Sequence, residues 1–348
     1  MRTMQDVRPS FLALAPDEAE RSIVLLGGEP FHARVVRQAL FERGALDYAC
    51  MTSLPRALRA RLTAELSLFA SRELARTVAR DGTTKLLLGF ARGGSVESVH
   101  MPALSGEGGA TVCVSSQVGC PVACPFCASG RAGLERNLEA HEIVEQFLRA
   151  RALGPLSRAV IMGIGEPLLN YRNLRQALEV VQEEIGLGAR KITVSTVGFP
   201  ERLRRAAEDD PPFQLAISLH TPDDAQRDVL VPAMAGTPIE EILAAGDHWF
   251  EVTGREITYE ICLLGGLNDS PGHARRLAQR LSGRRATVNL IPYNPVENDP
   301  FIRPTPERAE EFRQRLQAAG IVATVRWSRG VDAGAACGQL RIRSPGGS

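Results

Sequence analysis

Lysine is almost missing from this 348-residue chain: of 41 basic residues only Lys85 and Lys191 are not arginine. Forty acidic residues nearly cancel them and leave a formal net charge of +1. The chain therefore lacks the global positive excess of a protein that coats nucleic acid. Arginine enrichment by itself says little about phosphate recognition. No apolar stretch reaches the ~18 residues that a membrane span needs. The opening MRTMQDVRPS has no basic segment followed by an apolar run, so no export leader is expected. Internal repeats and low-complexity linkers are lacking too, apart from the polar tail SPGGS at 344–348. These absences point to a cytoplasmic protein without membrane contact, and 44% hydrophobic residues are enough for a large core.

What is present is cysteine, unevenly placed. Of seven cysteines, four lie between positions 113 and 127, in the stretch CVSSQVGCPVACPFCASG. An odd, clustered count argues for metal or redox chemistry in a reducing compartment and against a secreted disulfide framework. Cys120, Cys124 and Cys127 have C-x3-C-x2-C spacing. Three thiolates in one short loop can hold three irons of a [4Fe–4S] cluster, which leaves the fourth iron open to a small chelating molecule. A structural zinc site is the competing reading; zinc wants four closed ligands, usually as paired C-x2-C units, and there is no second pair. A β-branched run at 111–118 precedes the loop and a helical pattern follows it. The cysteines are thus expected in a loop leaving the C-terminal end of a strand, where (β/α) barrels form their active sites.

The rest of the chain divides by period. Residues 1–20 read as loosely ordered, and 22 to about 80 as helical, with Gly44 as a stop and Thr52 or Ser53 as a cap. Arginines 34, 37, 43, 56, 59 and 61 on these helices are candidates for phosphate contact or for a solvated face. Residues 82–104 alternate around Gly93–Gly94 and predict a β-hairpin. Downstream, strands at 111–118, 158–164, 191–197, 213–219, 256–263, 286–292 and 322–327 are separated by helices at 140–153, 171–186, 200–208, 238–253, 271–282 and 305–319. Such alternation implies parallel βαβ units. The expected fold class is α/β: a partial (β/α)6 barrel with a small N-terminal helical domain (1–80), a β-hairpin extension carrying Glu97 (81–107), the core barrel (108–343) and the tail (344–348).

Each strand ends in polar or glycine-containing text: GIGEP at 163–167, STVG at 195–198, SLHT at 218–221, GGLND at 265–269 and YNP at 293–295. All are expected at the mouth that holds the cysteine loop. There Gly165 would let backbone approach a ligand and Glu166 would accept hydrogen bonds from an ammonium. Cys50 and Cys262 read as small buried apolar residues. Cys337, between Gly334 and Gly338, reads as a loop thiol near that mouth. Glu97, taken alone in an alternating strand, reads as solvent-facing.

The cysteine loop is the signature of radical S-adenosylmethionine (SAM) enzymes. Around it, VESVHMP, CVSSQVGCPVACPFCASG, RNLEAHEIVEQ, MGIGEPLLN, STVG, ISLHTPDDAQRDVLVP, NLIPYNP and AACGQL follow in order. With LGGEPFHARVVRQALFERG and MTSLPRALRARL in the helical region, they resemble the RlmN/Cfr family of radical SAM RNA methyltransferases over nearly the whole chain. The link between Glu97 and Cys113 is a few residues longer than usual there, STVG stands for STSG, and RGVDAG differs before AACGQL.

The resemblance implies a [4Fe–4S] cluster on Cys120, Cys124 and Cys127. It implies SAM, two molecules per turnover, held by Gly165, Glu166, Ser195, Ser218, Leu219, His220 and Asn294. It further implies that Cys337 takes a methyl from one SAM and that a radical from the second removes hydrogen from that methyl. The methylene radical adds to adenine, Glu97 accepts the ring proton, and Cys113 attacks the Cys337 sulfur, leaving a transient Cys113–Cys337 disulfide. The implied substrate is an adenosine of 23S ribosomal RNA, with transfer RNA as a second target, methylated at carbon 2. A flavodoxin or ferredoxin would supply electrons, and the enzyme would be a monomer. Methylation at carbon 8 (the Cfr type), a radical SAM reaction on a non-ribosomal substrate, and a non-catalytic RNA-binding or metal-storage protein are the alternatives.

Overall fold

A computed structural model describes residues 8–104, 108–296 and 299–341; the 344–348 tail lies outside the described residues. The chain opens with helices α1 (Pro16–Leu25), α2 (Phe31–Phe41) and α3 (Arg56–Glu65). Three antiparallel strands follow: β1 (Ser71–Val78), β2 (Thr84–Phe90) and β3 (Ser95–Met101). Then come β4 (Ala110–Cys113), the short strands β5 (Gln117–Gly119) and β6 (Leu134–Asn137), and α4 (Ala140–Arg151). The alternation continues with β7 (Leu156–Ile161), α5 (Tyr171–Val180), β8 (Ile192–Thr196), α6 (Pro200–Glu208), β9 (Gln214–Ser218), α7 (Asp224–Leu230) and α8 (Ile239–Thr253). It ends with β10 (Ile257–Leu263), α9 (Pro271–Leu281), β11 (Ala286–Pro292), α10 (Pro306–Ala318) and β12 (Val322–Val325).

One ten-stranded sheet has the order β1-β2-β3-β4-β7-β8-β9-β10-β11-β12. It is antiparallel through β4 and parallel from there on. Six parallel strands plus β12 form an open (β/α) barrel, as expected. The helices pack apolar faces on the strands because those faces repeat at helical spacing: Leu174, Ala177 and Leu178 on α5, and Ala274, Leu277 and Leu281 on α9, are buried. Proline at the first position and a Ser or Thr cap start α9 and α10, where Ser270 and Thr305 accept from the amides of His273 and Arg308.

Four element readings are corrected. Helical text does not run to residue 80; Ser71–Val78 is the edge strand β1, paired with β2 from Ser71↔Phe90 to Val78↔Thr84. Its residues SRELARTV have ordinary helix formers, but it is solvent-exposed over most of its length and pairing overrides propensity. Residues 16–20 are not loose: they open α1, whose Glu18 carboxylate accepts from the Ala15 amide at 3.0 Å. The helix α7 was not expected. The strand read at 111–118 is two strands, because β5 leaves the main sheet to pair with β6. The hairpin at 82–104 is β2–β3, and its tip glycine, Gly94, sits where a Cβ would be 2.6 Å from Val118 of β5. That contact docks the hairpin on the strand that leads into the cysteine loop.

Candidate active site

The C-terminal ends of the parallel strands converge on a cleft of about 890 Å³, its open mouth included. Cys120, Cys124 and Cys127 line it, as do Gly165, Glu166, Ser195, Ser218, His220 and Asn294 from four strand ends. Leu219 does not line it; its side chain is fully buried and its amide donates to the Glu260 carbonyl at 3.0 Å.

Burial pushes the Cys120 thiol up to about 12, with Cys127 and Glu166 adding to the shift, and raises Cys124 well above the ordinary range. Among the described residues no three His, Cys, Asp or Glu side chains converge to hold one ion. One observation fits a cluster. Arg227 is 1% exposed, and its Nε and Nη1 find no partner while Nη2 donates to the Val197 carbonyl. The turn after α7 bonds the cysteine loop, Ala233 amide to Val122 carbonyl, and the Cys124 thiol feels the guanidinium charge. A buried cation with two idle donors beside a cysteine loop matches an anionic group held there.

The glycines of GIGEP serve the cysteine loop. A Cβ on Gly165, at φ +114°, would lie 2.7 Å from the Cβ of Gln117 and 2.8 Å from its backbone nitrogen. One on Gly163 would lie 2.6 Å from Ser115 Oγ. The close approach expected at Gly165 is thus to β5, which leads to Cys120. Glu166, also read as a ligand acceptor, has its carboxylate engaged by the chain: Leu168 and Val197 amides donate at 3.0 and 2.9 Å and Thr196 Oγ1 at 2.6 Å. Burial raises its pKa, and these donors hold it back.

Ser195 Oγ donates to Glu260 Oε2 at 2.7 Å and lies 3.2 Å from Ser218 Oγ. Glu260, 4% exposed on β10, lines the cleft and was not picked out from the sequence; a carboxylate in the middle of a buried-type strand was the available signal. His220 sits in the left-handed region at φ +65° and accepts from the Cys262 amide through Nδ1 at 3.2 Å. Burial, then Arg227, pushes its pKa down to about 3, so it is neutral. Cys262, read as apolar core, lines the cleft, and Cys50, also read as buried, is exposed. All seven cysteines are free, so the transient Cys113–Cys337 disulfide is not present here.

A second cavity adjoins the first. Cys113 and Cys337 line it with Arg326, Trp327 and Arg329, and it shares only Met162 and Cys337 with the first. Burial pushes the Cys113 thiol up to about 12, Cys337 adds to this, and Arg326 opposes it. Cys337 is raised by burial, again opposed by Arg326. The loop carrying Cys337 is pinned to its surroundings. Asn294 Nδ2 donates to the Cys337 carbonyl at 3.0 Å, the Ala128 amide to Gly338 at 2.8 Å and Ser129 Oγ to Leu340 at 2.7 Å.

Glu97 is 1% exposed, not solvent-facing. It forms an ion pair with Lys85 at 3.0 Å and accepts from the Arg341 amide at 3.0 Å, while Lys85 Nζ also donates to the Gly334 carbonyl at 2.9 Å. Its carboxylate is directed to the ends of the Cys337 loop, and it is not among the residues lining either cavity.

The family model for the Radical SAM superfamily matches residues 114–278. A protein of Parasynechococcus marenigrum described as "Probable dual-specificity RNA methyltransferase RlmN" is 44% identical over 338 residues, covering 94% of this chain and 97% of its own. A protein of Rhodopirellula baltica with the same description is 44% identical over 321 residues, covering 90% and 86%. The crystal structure of a radical SAM methyltransferase from Sphaerobacter thermophilus superposes with a TM-score of 0.88 at 41% identity, covering 96% of this chain and 99% of that one. Likeness at this level over nine-tenths of the length leaves one assignment: the chain belongs to the RlmN family of radical SAM RNA methyltransferases.

Proposed function

We propose that this enzyme methylates carbon 2 of an adenosine in RNA, with 23S ribosomal and transfer RNA as substrates, through a one-carbon unit carried on Cys337. The observation that carries this reading is the shared wall: Cys337 lines both the cleft of the three cysteines and the cavity that contains Cys113. A thiol in that position can receive a group on one side and deliver it on the other.

Cys120, Cys124 and Cys127 would hold the [4Fe–4S] cluster, and Gly165, Glu166, Ser195, Ser218, His220 and Asn294 would surround SAM, used twice per turnover. Bound there, cluster and SAM supply a methyl group and a radical that abstracts hydrogen, which an electron-poor ring carbon requires because it cannot attack a methyl by displacement. Glu260 orients the Ser195 and Ser218 hydroxyls. Neutral His220 accepts from backbone and adds no charge beside the cluster. Arg326, which lines the second cavity with both thiols, is a charge favouring the thiolate forms of Cys113 and Cys337. Cys113 is the resolving thiol that releases product from Cys337. Glu97 is the proton acceptor, and its carboxylate must be released by the Arg341 amide before it meets substrate. A flavodoxin- or ferredoxin-type donor and a monomeric enzyme complete the reading.

The test is nucleoside mass spectrometry of ribosomal and transfer RNA from a host lacking its own such methylase. 2-Methyladenosine should appear with the parent and not with Cys337→Ala. 8-Methyladenosine instead would overturn the regiochemistry, and neither product from a SAM-cleaving enzyme would overturn the substrate.

A further inference from the structure

Trp327 stands at the second cavity with 47% of its surface exposed. The other tryptophan, Trp249, is fully buried and stacked on Phe213 at 5.7 Å. In a chain with 5% aromatic residues, an indole left in solvent beside two functional thiols calls for a partner. The Arg303 guanidinium lies over its ring, 5.5 Å from the centroid. Arg303 forms no ion pair among the described residues, whereas nearby Arg308 and Arg329 are paired with Glu311 and Asp81. The mouth of this cavity therefore offers a flat aromatic surface with the Arg303 cation stacked on it, while the Arg326 charge lies further in, where Glu260 and the Cys113 and Cys337 thiols feel it.

A base that reaches Cys337 has to leave its stack. The nucleotide beside it then loses one stacking face while its phosphates stay at the surface. An exposed indole replaces that face whatever the base, because every base has a π-face. An arginine stacked on the indole keeps its N–H edge free for phosphate. We propose that Trp327 and Arg303 form a stacking platform for the unpaired base next to the extruded nucleotide, with Arg326 deeper in the same cavity. This rests on the RNA-methyltransferase reading, and it assigns to the cavity mouth a role in selecting unpaired RNA.

The experiment uses the anaerobic holoenzyme and an RNA hairpin with one unpaired adenosine in its loop. Intrinsic fluorescence and affinity are measured for the parent, Trp327→Phe and Trp327→Ala. The parent should be quenched on saturation, and Trp327→Phe, which keeps Trp249, should lose the quench but retain affinity within about threefold. Trp327→Ala should weaken RNA binding roughly 5- to 100-fold, as expected for one lost base stack, and raise KM for RNA with little change in kcat. A purely structural tryptophan would give no RNA-dependent quench. An unquenched Trp327, or Trp327→Ala affinity within twofold of the parent, overturns the platform while parental methylation leaves the RNA reading standing. A parent that neither binds nor methylates the hairpin overturns both. If Trp327→Ala melts early, the Trp327→Phe quench and affinity decide alone.

Discussion

At the scale of single residues, the thiols carry the sharpest consequence. Cys113 is buried, and burial pushes its pKa up to about 12 from an ordinary 9. Three units mean roughly a thousandfold less thiolate near neutral pH than an unshifted cysteine, and only thiolate is nucleophilic. The sign for stability follows. A thiol whose pKa is higher folded than unfolded contributes stability that is fully present below about pH 9 and is lost as pH rises from there towards 12. For reactivity, iodoacetamide treatment of the holoenzyme with peptide mapping should label exposed Cys50 first. Cys113 labelling should be slower by roughly a thousandfold and rise about tenfold per pH unit between 7 and 10. Equal labelling of the two thiols at pH 7 would show that Cys113 is neither shielded nor shifted.

A second residue-scale prediction concerns the lysine that this arginine-rich chain keeps inside. Lys85 and Glu97 have side chains 6% and 1% exposed. Lys85→Met leaves the carboxylate buried without that cation, which typically costs about 3–5 kcal/mol. Replacing both, as Lys85→Met with Glu97→Leu, should recover most of the loss. Denaturant midpoints of the parent, both single variants and the double variant read the coupling. Additive effects would mean that the pair is not a unit. The pair was not legible in the sequence: Glu97 alternates like a solvent-facing residue, and only the cover of the Cys337 loop turns that face inward.

At the scale of elements, the GIGEP turn and β5 are built as one piece. Gly165→Ala would place a methyl 2.7 Å from Ser116 Oγ and Gln117 Cβ, at a positive φ. Strain and overpacking of this kind typically cost about 1–3 kcal/mol. Because β5 runs into Cys120, the displaced strand should also lower iron content after anaerobic reconstitution, together with the melting temperature. Full iron loading and an unchanged melting temperature would separate the turn from the cysteine loop. The sequence made the parallel strands and their order plain, because buried strands alternate with amphipathic helices at regular spacing. It hid β1, whose exposed edge carries no period, and α7, which is only seven residues long. It located Gly165 and Glu166 at the cleft but not what they touch, since a neighbouring strand's atoms are not written in the local text.

For the whole molecule, the N-terminal helices matter through which of their arginines remain available. Arg37 pairs with Glu184 across to the barrel at 2.7 Å, and Arg59 donates to the Ala49 carbonyl at 2.6 Å. Arg34, Arg43, Arg56 and Arg61 are exposed. Sequence alone gave all six the same weight; the fold divides them into braces and open charges. RNA affinity should fall linearly with the logarithm of salt, with a slope set by the number of phosphates neutralised. Arg61→Glu should therefore weaken RNA binding and reduce that slope by about 0.7 per lost contact to single-stranded RNA. Arg37→Ala should lower the unfolding midpoint and leave the slope unchanged. Affinity measured at several salt concentrations for both variants distinguishes the two roles. A slope that Arg61→Glu does not move would remove the N-terminal helices from the RNA-binding surface and leave recognition to the cavity mouth around Trp327.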